Sequence, residues 1–101
     1  MSKKKLKDSF DIEVLGHTFT VELTDDYNKL NFNGNTCLGL VNYLTGMIYI
    51  SSNQRPLEQR QTLTHEILHC IDYIMHNGQC KYDEETIDTL ARGLVTLRKE
   101  I

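Results

Sequence analysis

The segment His65-Glu66-Ile67-Leu68-His69 places two histidines four residues apart, with a glutamate directly after the first. In a helix, side chains at i and i+4 project from one face about 6 Å apart, so two imidazoles can bind one metal ion. Glu66 lies beside that face, where it can reach a metal-bound water but is poorly aimed to be a ligand. Zinc suits these donors because it leaves a fourth position for water. The alternative is a pair of histidines on a partly hydrated helix face.

A catalytic zinc ion usually has a third protein ligand, and several candidates follow the motif. They are Asp72, His76, Cys80, Glu84, Glu85 and Asp88. Asp72 and His76 continue the same helix, which cannot fold back over the metal. Asp72 is therefore a candidate for orienting a ligand imidazole, with a solvated acid as the alternative. Cys80 could bind zinc as a thiolate or be a free thiol in a connecting loop.

Helical spacing separates the acids that follow. Glu84 shares a face with the apolar residues Ile87 and Ala91, whereas Glu85 shares the solvent face. Because a buried carboxylate needs a compensating partner, we predict that Glu84 is the third ligand and Glu85 a solvated acid. The alternative for Glu84 is an acid that interacts favourably with the N-terminus of its helix. Asp88, one turn later, could brace a ligand histidine.

The elements that must position these residues change periodicity near the middle of the chain. Apolar and polar residues first alternate in two hairpins, with turns at Gly16 and Gly46 and an Asn- and Gly-rich loop at residues 24–36 between them. Afterwards, apolar residues recur at helical spacing. The predicted strands are residues 10–14, 17–23, Cys37–Tyr43 and Met47–Ile50. The predicted helices are residues 57–76, with Pro56 in the first turn and Ser52 or Asn53 as the cap, and Asp83–Lys99, with the apolar set Ile87, Leu90, Ala91, Leu94 and Leu97.

This order predicts an α+β fold in which a small, mostly antiparallel sheet of about four strands is followed by two packed helices. With 101 residues, of which 40% are hydrophobic, the chain fits one globular domain. We place that domain at residues 10–101, after a flexible basic tail at residues 1–9. Glycine at position 39 weakens its strand and allows another part of the chain to approach closely.

Charge and cysteine content restrict the class of protein further. Four lysines lie in the tail, and without them seven basic residues face fourteen acidic ones, which argues against nucleic-acid binding. No apolar run is long enough to span a bilayer, and the N-terminus lacks the apolar segment of a secretory signal. Three cysteines without a disulfide spacing favour free thiols in the cytoplasm; they are Cys37, Cys70 and Cys80.

Two motifs together resemble a known family. HEILHCID at residues 65–72, followed by EETIDTLARGL at residues 84–94, is similar to the gluzincin metallopeptidases, and more narrowly to short ImmA/IrrE-type and phage- or prophage-type proteins. The resemblance spans roughly residues 60–95 and implies a minimal zincin-like core with one zinc ion per chain. It implies zinc ligands at His65, His69 and Glu84, a general base at Glu66 and a supporting role for Asp88. Fourteen residues separate His69 from Glu84, so the scaffold lacks the further domains of larger gluzincins.

The implied function is hydrolysis of a peptide bond, in which Glu66 takes a proton from zinc-bound water and passes it to the leaving nitrogen. Tyr73, His76 and Tyr82 are open candidates for stabilising the oxyanion. The substrate would be a peptide or protein, such as a regulatory protein, that adds as a strand to the sheet edge beside the metal. Either strand of the second hairpin could offer that edge.

Three other functions remain compatible with the same residues. The first is a zinc-containing binding or regulatory module with little or no peptidase turnover. In a second, Cys80 closes the site and the zinc is structural. The third is a latent enzyme whose terminal residues 98–101 cover the cleft.

Overall fold

The structure is a computed structural model that describes residues 6–100, and the side chains of residues 6–97. Residues 1–5 of the predicted basic tail lie outside the described residues, as does Ile101 at the end of the terminal segment. The described part is an α+β fold in which a four-stranded sheet precedes two helices. This confirms the fold class that the change of periodicity predicts.

The first hairpin consists of β1 (Ser9–Val14) and β2 (His17–Thr24), which pair antiparallel with Phe10 opposite Val21. Its two-residue turn holds both Leu15 and Gly16 at positive φ, 49° and 83°, which is typical of a type I′ turn. The region predicted as a loop at 24–36 also contains a short hairpin that sequence reasoning missed. Its strands are β3 (Asn31–Phe32) and β4 (Asn35–Thr36).

The second large hairpin consists of β5 (Gly39–Asn42) and β6 (Met47–Ser51), so β5 is shorter than the predicted strand Cys37–Tyr43. The strand order is β1-β2-β6-β5, and β6 pairs parallel with β2 through Val21 opposite Ile48. One parallel pair therefore joins two antiparallel hairpins. The order leaves β5 at one edge of the sheet and puts β2 and β6 in its centre.

Helix α1 (Pro56–Met75) begins with a proline at a position where no backbone N–H is needed. The predicted caps Ser52 and Asn53 are wrong, because the cap is Arg55, whose backbone N–H donates to the Glu58 carboxylate at 3.0 Å. The helix ends before Asn77 and Gly78, which adopt positive φ values of 56° and 89° as a helix stop requires.

Helix α2 (Glu84–Glu100) starts after Asp83, whose carboxylate accepts a hydrogen bond from the Thr86 backbone N–H at 2.7 Å. Of its predicted apolar set, Ile87 and Ala91 are buried against the rest of the fold, at 1% and 0% exposure. The other three members are exposed, which corrects that part of the prediction; they are Leu90, Leu94 and Leu97. Neither helix combines the length and the apolar character that crossing a bilayer requires, over the described part of the chain.

The core lies between the sheet and one face of α1. Its buried members are Val14, Phe19, Val21, Ile48, Ile50 and Cys70, and Leu63, Ile67, Ile71 and Ile74 of α1 pack against them. Full burial of one such aliphatic side chain contributes about 1.5–3 kcal/mol. This packing fixes the rotation of α1 about its axis, so the side chains of its other faces have defined directions.

Candidate metal centre

Two imidazoles lie side by side on α1, at the face that points away from the core. The Nε2 atoms of His65 and His69 are 3.1 Å apart, and the ring centroids are 4.8 Å apart. Both side chains are mostly shielded, with 19% and 13% of their surface exposed. The helical spacing of four residues therefore produces the arrangement that the sequence predicts.

Glu84 reaches the same point from the first turn of α2. Its Oε1 atom is 3.0 Å from His65 Nε2 and 3.3 Å from His69 Nε2. The three side chains offer ligand atoms that all lie within 4.8 Å of one another, close enough to hold one metal ion. Three donors from two helices thus converge, and the two imidazoles and one carboxylate can serve as ligands together.

The side chain of Glu84 is more exposed than the sequence predicts. We expected a carboxylate at the edge of a buried stripe, but 78% of this side chain is exposed. Its face of α2 does turn toward α1, because Ile87, three residues later, is buried. Glu85 also lies at the exposed start of the helix, outside the group that could hold a metal.

Glu66 lies in the wall of the cleft between β5 and α1. Only 7% of the residue is exposed, and this burial, with a smaller effect of the Glu84 charge, raises the pKa of its carboxyl to about 8. Strand β5 passes very close, since a Cβ atom at Gly39 would lie 2.6 Å from Thr62 Cγ2 and 3.1 Å from Glu66 Oε2. The close approach that Gly39 allows is therefore the approach of β5 to the metal-site face of α1.

Asp88 lies one turn after Glu84 and is close to the first imidazole. Its Oδ1 atom is 3.5 Å from His65 Nδ1, and its Oδ2 atom accepts a hydrogen bond from Arg92 at 2.5 Å. An acceptor at Nδ1 favours the tautomer that leaves Nε2 free to bind a metal. The placement agrees with the supporting role that the family resemblance implies, and that role stays a prediction.

Asp72 has a different set of partners from the expected one. It is completely buried and accepts hydrogen bonds from the backbone N–H groups of Lys81 and Tyr82 and from His76 Nδ1. These contacts contradict both the expectation that it orients a ligand imidazole and the alternative that it is a solvated acid. Burial by itself raises the pKa of Asp72, but the hydrogen bonds outweigh it and hold the pKa below its usual range.

The three candidates for oxyanion stabilisation lie in different places in the structure. Tyr82 lines the cleft beside the metal centre. Tyr73 stacks on Tyr43 with ring centroids 3.9 Å apart, and His76 binds Asp72. Only Tyr82 of the three is thus among the residues that line the cleft.

Tyr43 is a cleft residue that sequence reasoning missed. Its hydroxyl donates to the His69 carbonyl oxygen at 3.4 Å and lies 3.6 Å from Cys80 Sγ, and burial raises its pKa. The alternation of side chains along a strand could have identified Tyr43, because residues 39, 41 and 43 of an extended strand share one face. All three cysteines are free, and Cys37 and Cys80 line the cleft.

Comparison with known protein families identifies the family of the chain. The family model described as the IrrE N-terminal-like domain, Peptidase_M78, matches residues 8–98 of the chain. The matched stretch includes all six strands, helix α1 and most of helix α2, together with every residue of the candidate metal centre. No curated protein and no solved structure gives a match.

Proposed function

Since the chain belongs to the Peptidase_M78 family, with its IrrE N-terminal-like domain, we propose that it is a zinc-dependent metallopeptidase that hydrolyses peptide bonds. In this proposal His65, His69 and Glu84 bind the zinc ion, and Glu66 is the general base. The observation that carries the proposal is the convergence of two imidazoles and one carboxylate on one point beside a buried glutamate. The family membership supports the class of reaction, and the geometry supports the assignment of residues.

The distances between the three donor atoms favour zinc. Ligands at about 2.0–2.1 Å around a tetrahedral ion lie about 3.3 Å from one another. The corresponding separations here are 3.1 Å between the imidazoles and 3.0 and 3.3 Å from Glu84 to each of them. A zinc ion held by three protein ligands would keep one position for water, as catalytic zinc sites do.

A zinc ion held by these three groups would supply Lewis acidity, which lowers the pKa of a bound water to about 7 and polarises a peptide carbonyl. The protein contributes a carboxylate on the same helical turn. Glu66 takes a proton from the attacking water and delivers it to the leaving nitrogen. Burial raises the pKa of Glu66, and a carboxylate with a raised pKa is a stronger base for accepting the proton of the water.

An extended peptide is the substrate that suits the cleft. Strand β5 is an edge strand. The carbonyl oxygens of Leu38 and Asn42 accept hydrogen bonds from Ser51 and Gly46, on the hairpin side. In an antiparallel ladder the backbone groups of the intervening residues face the opposite side. The N–H and C=O groups of Gly39 and Val41 are therefore oriented to pair with a peptide strand.

The side chains around this edge support a protein substrate over a nucleic acid. Phe32, Leu38 and Tyr82 are exposed apolar or aromatic residues that line the cleft. Among the described residues that line it, none is a lysine or an arginine. Apolar walls suit side chains of a peptide, whereas phosphate groups require basic partners.

The first test measures zinc content and peptide cleavage in the same preparations. Wild-type protein should bind one zinc ion per chain and cleave some members of a mixed peptide library, detected by mass spectrometry. The variant Glu66→Gln should retain zinc and lose about 10²–10⁴-fold in cleavage rate, the usual contribution of a general base. Undiminished cleavage by Glu66→Gln would refute the mechanism. Zinc-loaded wild-type protein that cleaves nothing would favour the binding module instead.

The ligand assignment has a matched control on the same helical turn. Glu84→Ala should bind zinc much more weakly and lose it on dialysis, because only the two imidazoles remain as donors, and Glu85→Ala should keep it. Both variants remove one carboxylate from the first turn of α2, so effects on helix stability are similar. Loss of zinc from Glu85→Ala and not from Glu84→Ala would overturn the assignment.

A further inference from the structure

The segment between the two helices determines where Glu84 lies, and one buried carboxylate holds that segment. We propose that Asp72 is a positioning residue for the metal centre: by binding the backbone of Lys81 and Tyr82 it fixes the connector and so places Glu84 at the two imidazoles. This inference rests on the proposed function, since it assigns a role in binding the same zinc ion. Asp72 touches neither the metal donors nor the cleft, and acts through the chain.

Both oxygen atoms of Asp72 are engaged by the connector. The Lys81 N–H donates to Oδ1 at 3.0 Å and to Oδ2 at 2.9 Å, and the Tyr82 N–H donates to Oδ2 at 3.0 Å. His76 Nδ1 lies 2.8 Å from Oδ1. Hydrogen bonds to an ionised acceptor are stronger than those between neutral groups, and the pKa of Asp72 is held below its usual range by them. The carboxylate is therefore a charged anchor for two successive peptide groups.

The position of Asp72 in the chain links it to both sides of the metal centre. It follows His69 by three residues on the same helix, a rise of about 4.5 Å. Tyr82 precedes Glu84 by two residues, which span at most about 7 Å. The Asp72 side chain therefore fixes the position of the start of α2 relative to α1, the helix that carries both imidazoles.

Among the described residues, few other contacts hold the segment that leads to Glu84. Helix α1 stops at Asn77 and Gly78, and residues 79–83 form neither helix nor strand. The first buried apolar residue of α2 is Ile87, which lies three residues beyond Glu84. From the connector, Cys80 Sγ lies 3.6 Å from the Tyr43 hydroxyl, and the Tyr82 ring meets the His76 ring edge-on with centroids 5.8 Å apart. Both contacts are weaker than hydrogen bonds to an ionised carboxylate.

A role in preorganisation explains why a charge is buried here. An isolated buried carboxylate is unfavourable, and this one is compensated by donors that all belong to the end of α1 and the connector. Without these hydrogen bonds, residues 79–83 would sample many conformations. Metal binding would then have to overcome the conformational entropy lost when Glu84 becomes ordered. Groups that orient metal ligands typically change metal affinity about 10–100-fold when they are altered.

The test is a double-mutant cycle on zinc affinity, measured by competition with a chromophoric chelator. The four proteins are wild type, Asp72→Asn, Glu84→Ala and the double variant. We expect Asp72→Asn to weaken zinc binding about 10–100-fold when Glu84 is present. In the Glu84→Ala background the same change should have little further effect, because its target is gone. Glu85→Gln, which removes one charge close to the same site, should bind zinc like the wild type.

The outcomes separate three explanations. Equal losses with and without Glu84 would show that Asp72 is only structural, and would overturn the inference. Wild-type affinity in folded Asp72→Asn would overturn it as well, while the proposed function stands. If the wild type itself binds no zinc, both the inference about Asp72 and the proposed function are refuted.

A measurement on wild-type protein covers the case in which Asp72→Asn does not fold. Residue-resolved hydrogen exchange of the metal-free protein should show the Lys81 and Tyr82 amides protected, since both donate to Asp72. The Cys80 and Asp83 amides are the internal comparison from the same connector. Exchange of Lys81 and Tyr82 at the rate of an unstructured chain would mean that the connector is not preorganised, and would overturn the inference.

Discussion

Replacement of Gly39 by alanine tests how closely the edge strand β5 must approach helix α1, which carries His65 and His69. The added Cβ atom would lie 2.6 Å from Thr62 Cγ2 and 3.1 Å from both Cγ and Oε2 of Glu66. Carbon atoms in ordinary contact are about 3.5–4.0 Å apart, so the methyl group of Thr62 overlaps by about 1 Å. Gly39→Ala should therefore push β5 and α1 apart or force a rotamer change at Thr62.

The magnitude follows from two opposing effects. Overpacking of this kind costs about 1–3 kcal/mol. Gly39 does not have a positive φ, so alanine is conformationally acceptable there and gains about 0.4–1 kcal/mol by restricting the unfolded chain. We expect a net loss of about 1–2 kcal/mol in the free energy of unfolding, or a fall in Tm of about 4–8 °C per kcal/mol.

The structure offers both a control and a rescue for this substitution. Gly93 lies in α2, where an added Cβ atom would meet nothing within 4 Å, so Gly93→Ala should stabilise the protein by about 0.5–1 kcal/mol. Thr62→Ser removes the clashing methyl group and keeps the hydroxyl that donates to Gln54 Oε1 at 2.8 Å. In the Thr62→Ser background, Gly39→Ala should cost much less than in the wild type.

Urea denaturation of the metal-free proteins measures these differences directly. The five proteins are the wild type, Gly39→Ala, Gly93→Ala, Thr62→Ser and the double variant of Thr62→Ser with Gly39→Ala. The free energies of unfolding of Gly39→Ala and Gly93→Ala should differ by about 1.5–3 kcal/mol, with Gly93→Ala the more stable. If Gly39→Ala is as stable as Gly93→Ala, the close packing of β5 on α1 is wrong. An undiminished cost in the Thr62→Ser background would show that Thr62 is not the obstacle.

Four other substitutions test charge, metal ligation and burial around the two helices. Burial raises the pKa of Glu66 from 4.5 to about 8, so its contribution to stability is full below about pH 4.5 and is lost as the pH rises through about 8. In urea denaturation, the free energy of unfolding of metal-free Glu66→Gln should therefore rise relative to that of the wild type, by about 3 kcal/mol between pH 5 and pH 8. A difference that does not change with pH would refute this. Cys80→Ser should keep its zinc in metal analysis, because Cys80 lies against Tyr43 outside the three-donor group; zinc loss would indicate a closed structural site. Ile87→Ala should lose about 2–5 kcal/mol of stability and Leu90→Ala under about 1 kcal/mol, since the first is buried and the second 47% exposed. Equal losses in thermal melts would contradict this burial.

The parts of the candidate metal centre that depend on local spacing could be predicted from the sequence. His65 and His69 converge because one turn of helix places them together, and that relation needs no knowledge of the remaining fold. Glu84, and not Glu85, lies with the two imidazoles as predicted, although the expected burial of its side chain was wrong. The face of α2 was correct, whereas the burial was not, because the first turn of a helix at the rim of a cleft has solvent on one side.

Features that depend on contacts between distant segments could not be predicted. Nothing in the alternation of β2 and β6 indicates that they pair parallel, since each reads as half of its own hairpin. Asp72 illustrates the same point for a polar side chain. Its partners Lys81 and Tyr82 donate from the backbone, so no pattern of residue types marks them. Only the path of the connector, which brings the chain back along α1, reveals the anchor.

Helical periodicity also leaves open how much of an apolar stripe is covered. In α2, Ile87 and Ala91 are buried, yet Leu90 and Leu94 are 47% and 42% exposed. Leu90 is turned about 60° from Ile87 around the helix, so it lies beside the contact with α1. Leu94, seven residues after Ile87, is within about 20° of it, so its exposure means that the contact ends along the helix axis. One narrow helix can cover only part of such a stripe. The same geometry explains the metal centre: the narrow contact places Ile87 against α1 and, one turn earlier, brings Glu84 over the two imidazoles while its surface stays open to the cleft.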